Sequence, residues 1–242
     1  KEEYYPKDVF QKRLDFESVL AIKLQHVSQG MFFKSKQLQT VILPEAVGVM
    51  KAGFMNTKVQ KCFFPKLVTI SEKSFKKSDI QELTLENFPK LRRVGNQAFE
   101  ENPISKIFHA GLVSIGEEGF VNCHTQTVHL PGLISAAPFA FAYCAKLQQF
   151  SAEALQEIGP NCFSFCNQLS SINCLLDPEK FVCSANEDEA ENCECPICGQ
   201  RLLLCLNRGR AAKQLKMARQ TQLQLLMGLK KLYRYNDDEI WQ

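Results

Sequence analysis

One tryptophan, five tyrosines and a net charge of +3 in 242 residues narrow the functions open to this chain. A charge so near balance lacks the electrostatic footprint that whole-molecule nucleic-acid binding requires. Long apolar runs are also missing. The longest stretch free of Lys, Arg, Asp and Glu runs from Gly119 to Ala145 and contains Pro131, Pro138, His124 and His129, whereas a spanning helix needs about 20 mainly apolar residues. No segment reads as a secretory signal, and because the sequence opens on Lys1 this says little about compartment. A phosphate-cradling glycine loop, an H-E-x-x-H pair and a G-x-S-x-G elbow are absent as well. The sequence gives no ground for an enzyme.

Against these absences stand 18 Phe and 11 Cys. The Phe residues are periodic. Phe32, Phe54, Phe75, Phe99, Phe120, Phe141 and Phe163 follow at intervals of 22, 21, 24, 21, 21 and 22 residues. A small or apolar residue precedes each one. An aliphatic or small residue lies five positions before it: Val27, Val49, Ile70, Val94, Ile115, Ala136 and Ile158. Eight or nine positions after it come Val41, Cys62, Leu83, Ile107, Val128, Phe150 and Ile172, and two further on Leu43, Phe64, Leu85, His109, Leu130, Ala152 and Cys174. Matched columns of this kind identify an internal repeat.

The spacing assigns each column a direction. Stretches such as LQTVILP and TQTVHLP alternate as half-buried strands do, so their apolar set points into a stack. The segment leading to the Phe is expected to turn the chain and insert the ring beneath the next coil. One coil cannot bury its apolar face alone, and its stacked neighbours supply the missing cover. Residues flanking the middle inward position then face outward. One outward column reads Thr40, Lys61, Glu82, Lys106, Thr127, Gln149 and Ser171; the other reads Ile42, Phe63, Thr84, Phe108, His129, Ser151 and Asn173.

The unit LVSIGEEGFVNCHTQTVHLP resembles the BspA-type leucine-rich repeat, L-x-x-I-x-x-x-A-F-x-x-C-x-x-L-x-x-I-x-L-P. The resemblance covers residues 24–174 and implies a leucine-rich-repeat β-solenoid of seven units of about 22 residues, with short strands and turns. Ser35, Thr57, Ser78 and Asn102 stand where later units have Cys123, Cys144 and Cys166. Residues 1–23 read as an N-terminal cap or degenerate repeat, since Phe10 lies 22 residues before Phe32.

After Cys174 the register ends. Residues 175–205 form an acidic linker and a Cys-rich segment, and residues 206–242 read as a basic amphipathic C-terminal helix. The string Cys195-Pro196-Ile197-Cys198-Gly199 looks like a zinc knuckle. Zinc takes four ligands in a tetrahedron, and Cys183 and Cys205 could complete the set with Cys195 and Cys198, with Cys193 or Cys174 as substitutes. Unpaired or disulfide-bonded cysteines are the competing reading. A RING arrangement fails, because too few ligands follow Cys205. The helix has its bland reading as a cap on the last coil, and its sharper ones as a site for a partner or an anionic membrane.

Two histidine readings can be set against the register. His109 falls in an inward column and is expected to be buried and hydrogen-bonded. His124 adjoins Cys123, but the register sends that thiol inward, where thiols are usually inert. The functional expectation is a non-enzymatic scaffold that binds a protein through Ile42, Phe63, Phe108 and His129, rimmed by Lys61 and Lys106. The alternative is a zinc-dependent C-terminal module contacting nucleic acid or an anionic membrane. Inward cysteines and a thiolate zinc site point to an intracellular setting, with the cell surface as the alternative.

Overall fold

A computed structural model describes residues 10–176, which form a parallel β-solenoid of about seven turns. Each coil contributes two short strands. The first set is β1 (Ser18–Leu20), β3 (Thr40–Ile42), β5 (Lys61–Phe63), β7 (Glu82–Thr84), β9 (Lys106–Phe108), β11 (Thr127–His129), β13 (Gln149–Ala152) and β15 (Ser171–Cys174). The second is β2 (His26–Val27), β4 (Gly48–Val49), β6 (Thr69–Ile70), β8 (Arg93–Val94), β10 (Ser114–Ile115), β12 (Ser135–Ala136) and β14 (Glu157–Ile158). All pairings are parallel and in repeat register, for example Val41 opposite Cys62 and Val49 opposite Ile70.

The second set makes one continuous seven-stranded ladder. The approach to each Phe, expected as a turn, therefore begins with a strand. A third side of the coil holds the Phe. There the chain follows no strand, yet alternate N–H groups still reach the next coil: Gly30 to Lys51 O at 3.0 Å, Phe32 to Gly53 O at 2.8 Å and Lys34 to Met55 O at 2.9 Å. Two residues per coil, two before and two after the ring, take positive φ, as Ala52 (57°) and Asn56 (58°) do around Phe54. Such backbone is unfavourable for residues with a Cβ. The coil-to-coil hydrogen bonds on either side hold it in place.

The core is a stack of rings. Phe10, Phe32, Phe54, Phe75, Phe99, Phe120, Phe141 and Phe163 lie one above another with centroids 5.0–5.9 Å apart and near-parallel planes. The residue before each ring must be small where two coils close on it. A Cβ on Gly119 would come within 2.6 Å of Ile115 Cγ2. Phe10 begins the stack, and β1 pairs with β3, so residues 10–22 add a coil of the same geometry.

One column departs from its expectation. Leu85 was assigned inward, but it is 44% exposed. Phe88 fills the buried position instead and stacks on Phe64 at 5.7 Å. The cause is a three-residue insertion in this coil. Phe64 N–H bonds to Asn87 O, 23 residues on, whereas Leu43 N–H bonds to Phe63 O, 20 residues on. The first ladder breaks at this place into a three-stranded part ending at β5 and a five-stranded part beginning at β7.

Candidate partner-binding face

A polar ladder runs through the interior beside the ring stack. The side chain three residues after the Phe donates to the carbonyl of the Phe one coil earlier in every coil but that of Thr57, whose Oγ1 donates to Phe54 O of its own coil (2.8 Å). Ser35 Oγ reaches Phe10 O (2.5 Å), Ser78 Oγ reaches Phe54 O (2.8 Å) and Asn102 Nδ2 reaches Phe75 O (2.6 Å). In later coils Cys123, Cys144 and Cys166 Sγ do the same to Phe99, Phe120 and Phe141 O at 3.1–3.2 Å. Burial pushes the Cys144 thiol up to about 12 and the Cys123 thiol well above its ordinary value. These thiols stay protonated and are poor nucleophiles. His124, next to Cys123, is exposed.

His109 is buried, as expected. Its Nε2 lies 2.8 Å from Phe88 O, and its Nδ1 has no hydrogen-bond partner among the described residues. Desolvation lowers its pKa, and Arg92 adds to the shift, so the ring is held neutral with Nε2 as donor.

The outward columns define the candidate face. In β3, β5, β7, β9 and β11 the middle residue is buried, while its neighbours are exposed or half-buried. Ile42, Phe63 and Phe108 are 37%, 44% and 43% exposed, large apolar side chains turned to solvent. Ile42 stands opposite Phe63 in register, and Thr84 and His129 stand opposite Phe108. The rings of Phe108 and His129 are 5.9 Å apart. One member was missed: Leu20, 67% exposed and in register with Ile42, extends the row by a coil. Its signal is the 22-residue offset from Ile42, in the stretch that reads as an N-terminal cap or degenerate repeat, and the outward columns read from the sequence begin only at residue 40.

Lys61, Glu82 and Lys106 line one side of the row and are exposed. Some lysines elsewhere meet acids of neighbouring coils, as in Lys51–Glu72 (2.9 Å), Lys58–Asp79 (3.2 Å) and Lys66–Glu45 (2.6 Å), while others, such as Lys36 and Lys90, meet none among the described residues. Lys61 and Lys106 join no ion pair among the described residues. β3, β9 and β11 are hydrogen-bonded on both sides, and β5 and β7, which carry Phe63 and Thr84, on one side each.

Cys183, Cys195, Cys198 and Cys205, together with the helix expected from residue 206 onward, lie outside the described residues. Among the described residues no three His, Cys, Asp or Glu side chains are grouped to hold a metal, and no helix is long and apolar enough to cross a membrane.

Comparison with known proteins agrees with the repeat architecture. Among solved structures, a leucine-rich cell surface protein from Faecalibacterium prausnitzii A2-165 is similar at 17% identity and a TM-score of 0.39, over 74% of this chain and 62% of that one. A leucine-rich repeat protein from Bacteroides ovatus ATCC 8483 is similar at 14% identity and a TM-score of 0.36, over 62% of this chain and 52% of that one. The pneumococcal vaccine antigen PcpA is similar at 14% identity and a TM-score of 0.28, over 64% of this chain and 55% of that one. The chain thus spans 52–62% of the length of these proteins. No curated protein matches the sequence. The family model for the BspA type leucine-rich repeat region matches residues 4–110 and 92–184 in six copies. The chain belongs to the BspA-type leucine-rich repeat family.

Proposed function

We propose that this protein is a non-enzymatic scaffold that binds a protein partner through the first-ladder face. The observation that carries the reading is the row Leu20, Ile42 and Phe63, exposed apolar side chains at one position of three successive coils, resumed at Phe108 after Thr84. Scattered exposed apolars are ordinary, but an aligned row marks a contact surface. His129 continues the row, and Lys61 and Lys106 supply its charged rim. Aromatic anchors beside cations are what binding hot spots are made of.

A photo-crosslinking residue in place of Phe63 tests this. It should trap one defined protein from the native source, and the same residue at Arg93, exposed on the second ladder, should not. Equal trapping at both positions refutes the assignment of the face. The buried, protonated thiols support an intracellular setting over the cell surface. Alkylation of freshly isolated protein under denaturing conditions decides this, since oxidised cysteines would place it outside the cell.

A further inference from the structure

The row has a spacing, a dent and a charge pattern, and together they specify what fits it. We propose that its occupant is an amphipathic α-helix with acidic residues along one flank, laid along the solenoid axis across the coils from Leu20 to His129. This rests on the partner-binding reading above and names the partner's chemistry.

Spacing comes first. The ring stack sets the coil spacing at 5.0, 5.1 and 5.5 Å from Phe32 to Phe99, across the break in the ladder as well, so the three steps from Ile42 to Phe108 cover roughly 14–15 Å. A helix advances about 5.4 Å per turn, and residues i to i+10 of one apolar stripe cover about 15 Å. In an extended segment residues on one face recur every 6.6 Å or so, and three such steps overrun the row by about 6 Å. Strand addition is closed off here as well: β3, β9 and β11 pair on both sides, and although β5 and β7 pair on one side only, their coils are stacked on each other with Phe54 and Phe75 5.1 Å apart, which leaves no room for an inserted strand. Contact must be made by side chains, one helical turn to each coil.

The dent lies at Thr84. This half-buried residue stands between Phe63 one coil before and Phe108 one coil after, both more than two-fifths exposed. Two coil spacings leave an opening about 10 Å between their positions. One large apolar side chain of a helix fills that hole as a knob does in packed helices. Exposed Leu85, displaced outward by the insertion, adds an apolar wall beside it.

Charge gives the flank. Lys61 and Lys106 lie two coils apart, about 9.6 Å, and join no ion pair among the described residues. Acids at positions i and i+7 of a helix are about 10.5 Å apart and meet both. Glu82 between them calls for a neutral or basic residue at i+3 or i+4. The chain's own segment 208–234 has Lys and Arg but neither Asp nor Glu, and so has the wrong sign for this rim.

The test uses three labelled synthetic peptides of equal length and apolar content, titrated against the full chain by fluorescence anisotropy. The first has a helical Leu stripe with Glu at i and i+7; the second replaces those Glu by Lys; the third keeps the first's composition with Leu at every second position. Only the first should bind well, gaining helical circular dichroism as it does. Lys61→Glu with Lys106→Glu should weaken it about tenfold and let the second peptide bind instead. The inference is overturned if the second or third peptide binds the unaltered chain better, if none binds, or if a crosslinker at Phe63 reacts with residues 208–234. Failure of all three peptides while that crosslinker still traps a separate protein removes the helix and leaves the face. Failure of both removes both.

Discussion

Replacing Phe120 by Ala removes a ring that is fully buried and lies between Phe99 at 5.2 Å and Phe141 at 5.4 Å, nearly parallel to both. Emptying a Phe site in a packed core costs about 3–5 kcal/mol. Two features place this site at the upper end. Each stacked pair contributes roughly 0.5–1.5 kcal/mol beyond its buried area, and two are lost. The cavity also cannot close, because the coils above and below are pinned by Phe99 N–H to Gly119 O (2.9 Å) and Phe120 N–H to Ala140 O (2.8 Å). About 5 kcal/mol is a large share of the 5–15 kcal/mol typical of a folded domain. Because a solenoid is stabilised by contacts between neighbouring coils, the loss should also uncouple the two halves. Chemical denaturation followed by circular dichroism should show a lower midpoint and a broadened or split transition. Phe33 is the control. It is only half-buried, with Lys34 Nζ 5.0 Å from its ring centroid, and Phe33→Ala should cost about 1 kcal/mol, the ordinary scale for a substitution outside the core. Equal costs at 33 and 120 would refute the ring stack as the source of stability.

Three further expectations follow from the interior and from the C-terminal cysteines. Cys144→Ser should stay within about 1 kcal/mol of the parent, since Ser35 and Ser78 already make the same bond in other coils, whereas Cys144→Val removes the donor to Phe120 O and should be worse by about 1 kcal/mol in thermal melts. His109 has its pKa lowered by burial, so below its ordinary value near 6.5 the unfolded chain takes up a proton that the folded chain resists. Melting temperature should therefore fall from pH 7.5 to pH 5.5, and His109→Leu should flatten that slope; an unchanged slope would show that His109 does not set it. Elemental analysis of protein purified without chelator should find about one zinc per chain, lost on Cys195→Ser with Cys198→Ser. Zinc absent, with those two cysteines joined as a disulfide, removes the metal.

Much of this architecture could be read from spacing, because a solenoid repeats its chemistry at a fixed interval. The Phe column, the middle inward column and the two outward columns all fall where the period puts them. The readings that failed have local causes. Leu85 matches its column in type and offset, and only the insertion displaces it. The correct register was written in Phe88-Pro89-Lys90-Leu91, which repeats Phe64-Pro65-Lys66-Leu67 letter for letter. The second ladder reads as a turn because two-residue strands are too short to show alternation. The positive-φ positions give little signal, since Gly30, Asn56, Asn122 and Asn161 carry the usual marks but Lys, Glu, Gln, Ala, Phe and Tyr occupy the rest. The row's exposure was legible, but its extension to Leu20 required treating the first residues as another coil.

The central claim is that the exposed row is a binding surface rather than part of the core. Phe63→Ser with Phe108→Ser, measured in one preparation for melting temperature and for affinity toward the protein trapped at position 63, tests it most directly. Both rings are more than two-fifths exposed, so melting should move by no more than a few degrees, while affinity should fall at least 30-fold, as loss of hot-spot anchors worth about 2 kcal/mol or more requires. A large drop in melting temperature, or affinity unchanged at unaltered stability, would contradict the account.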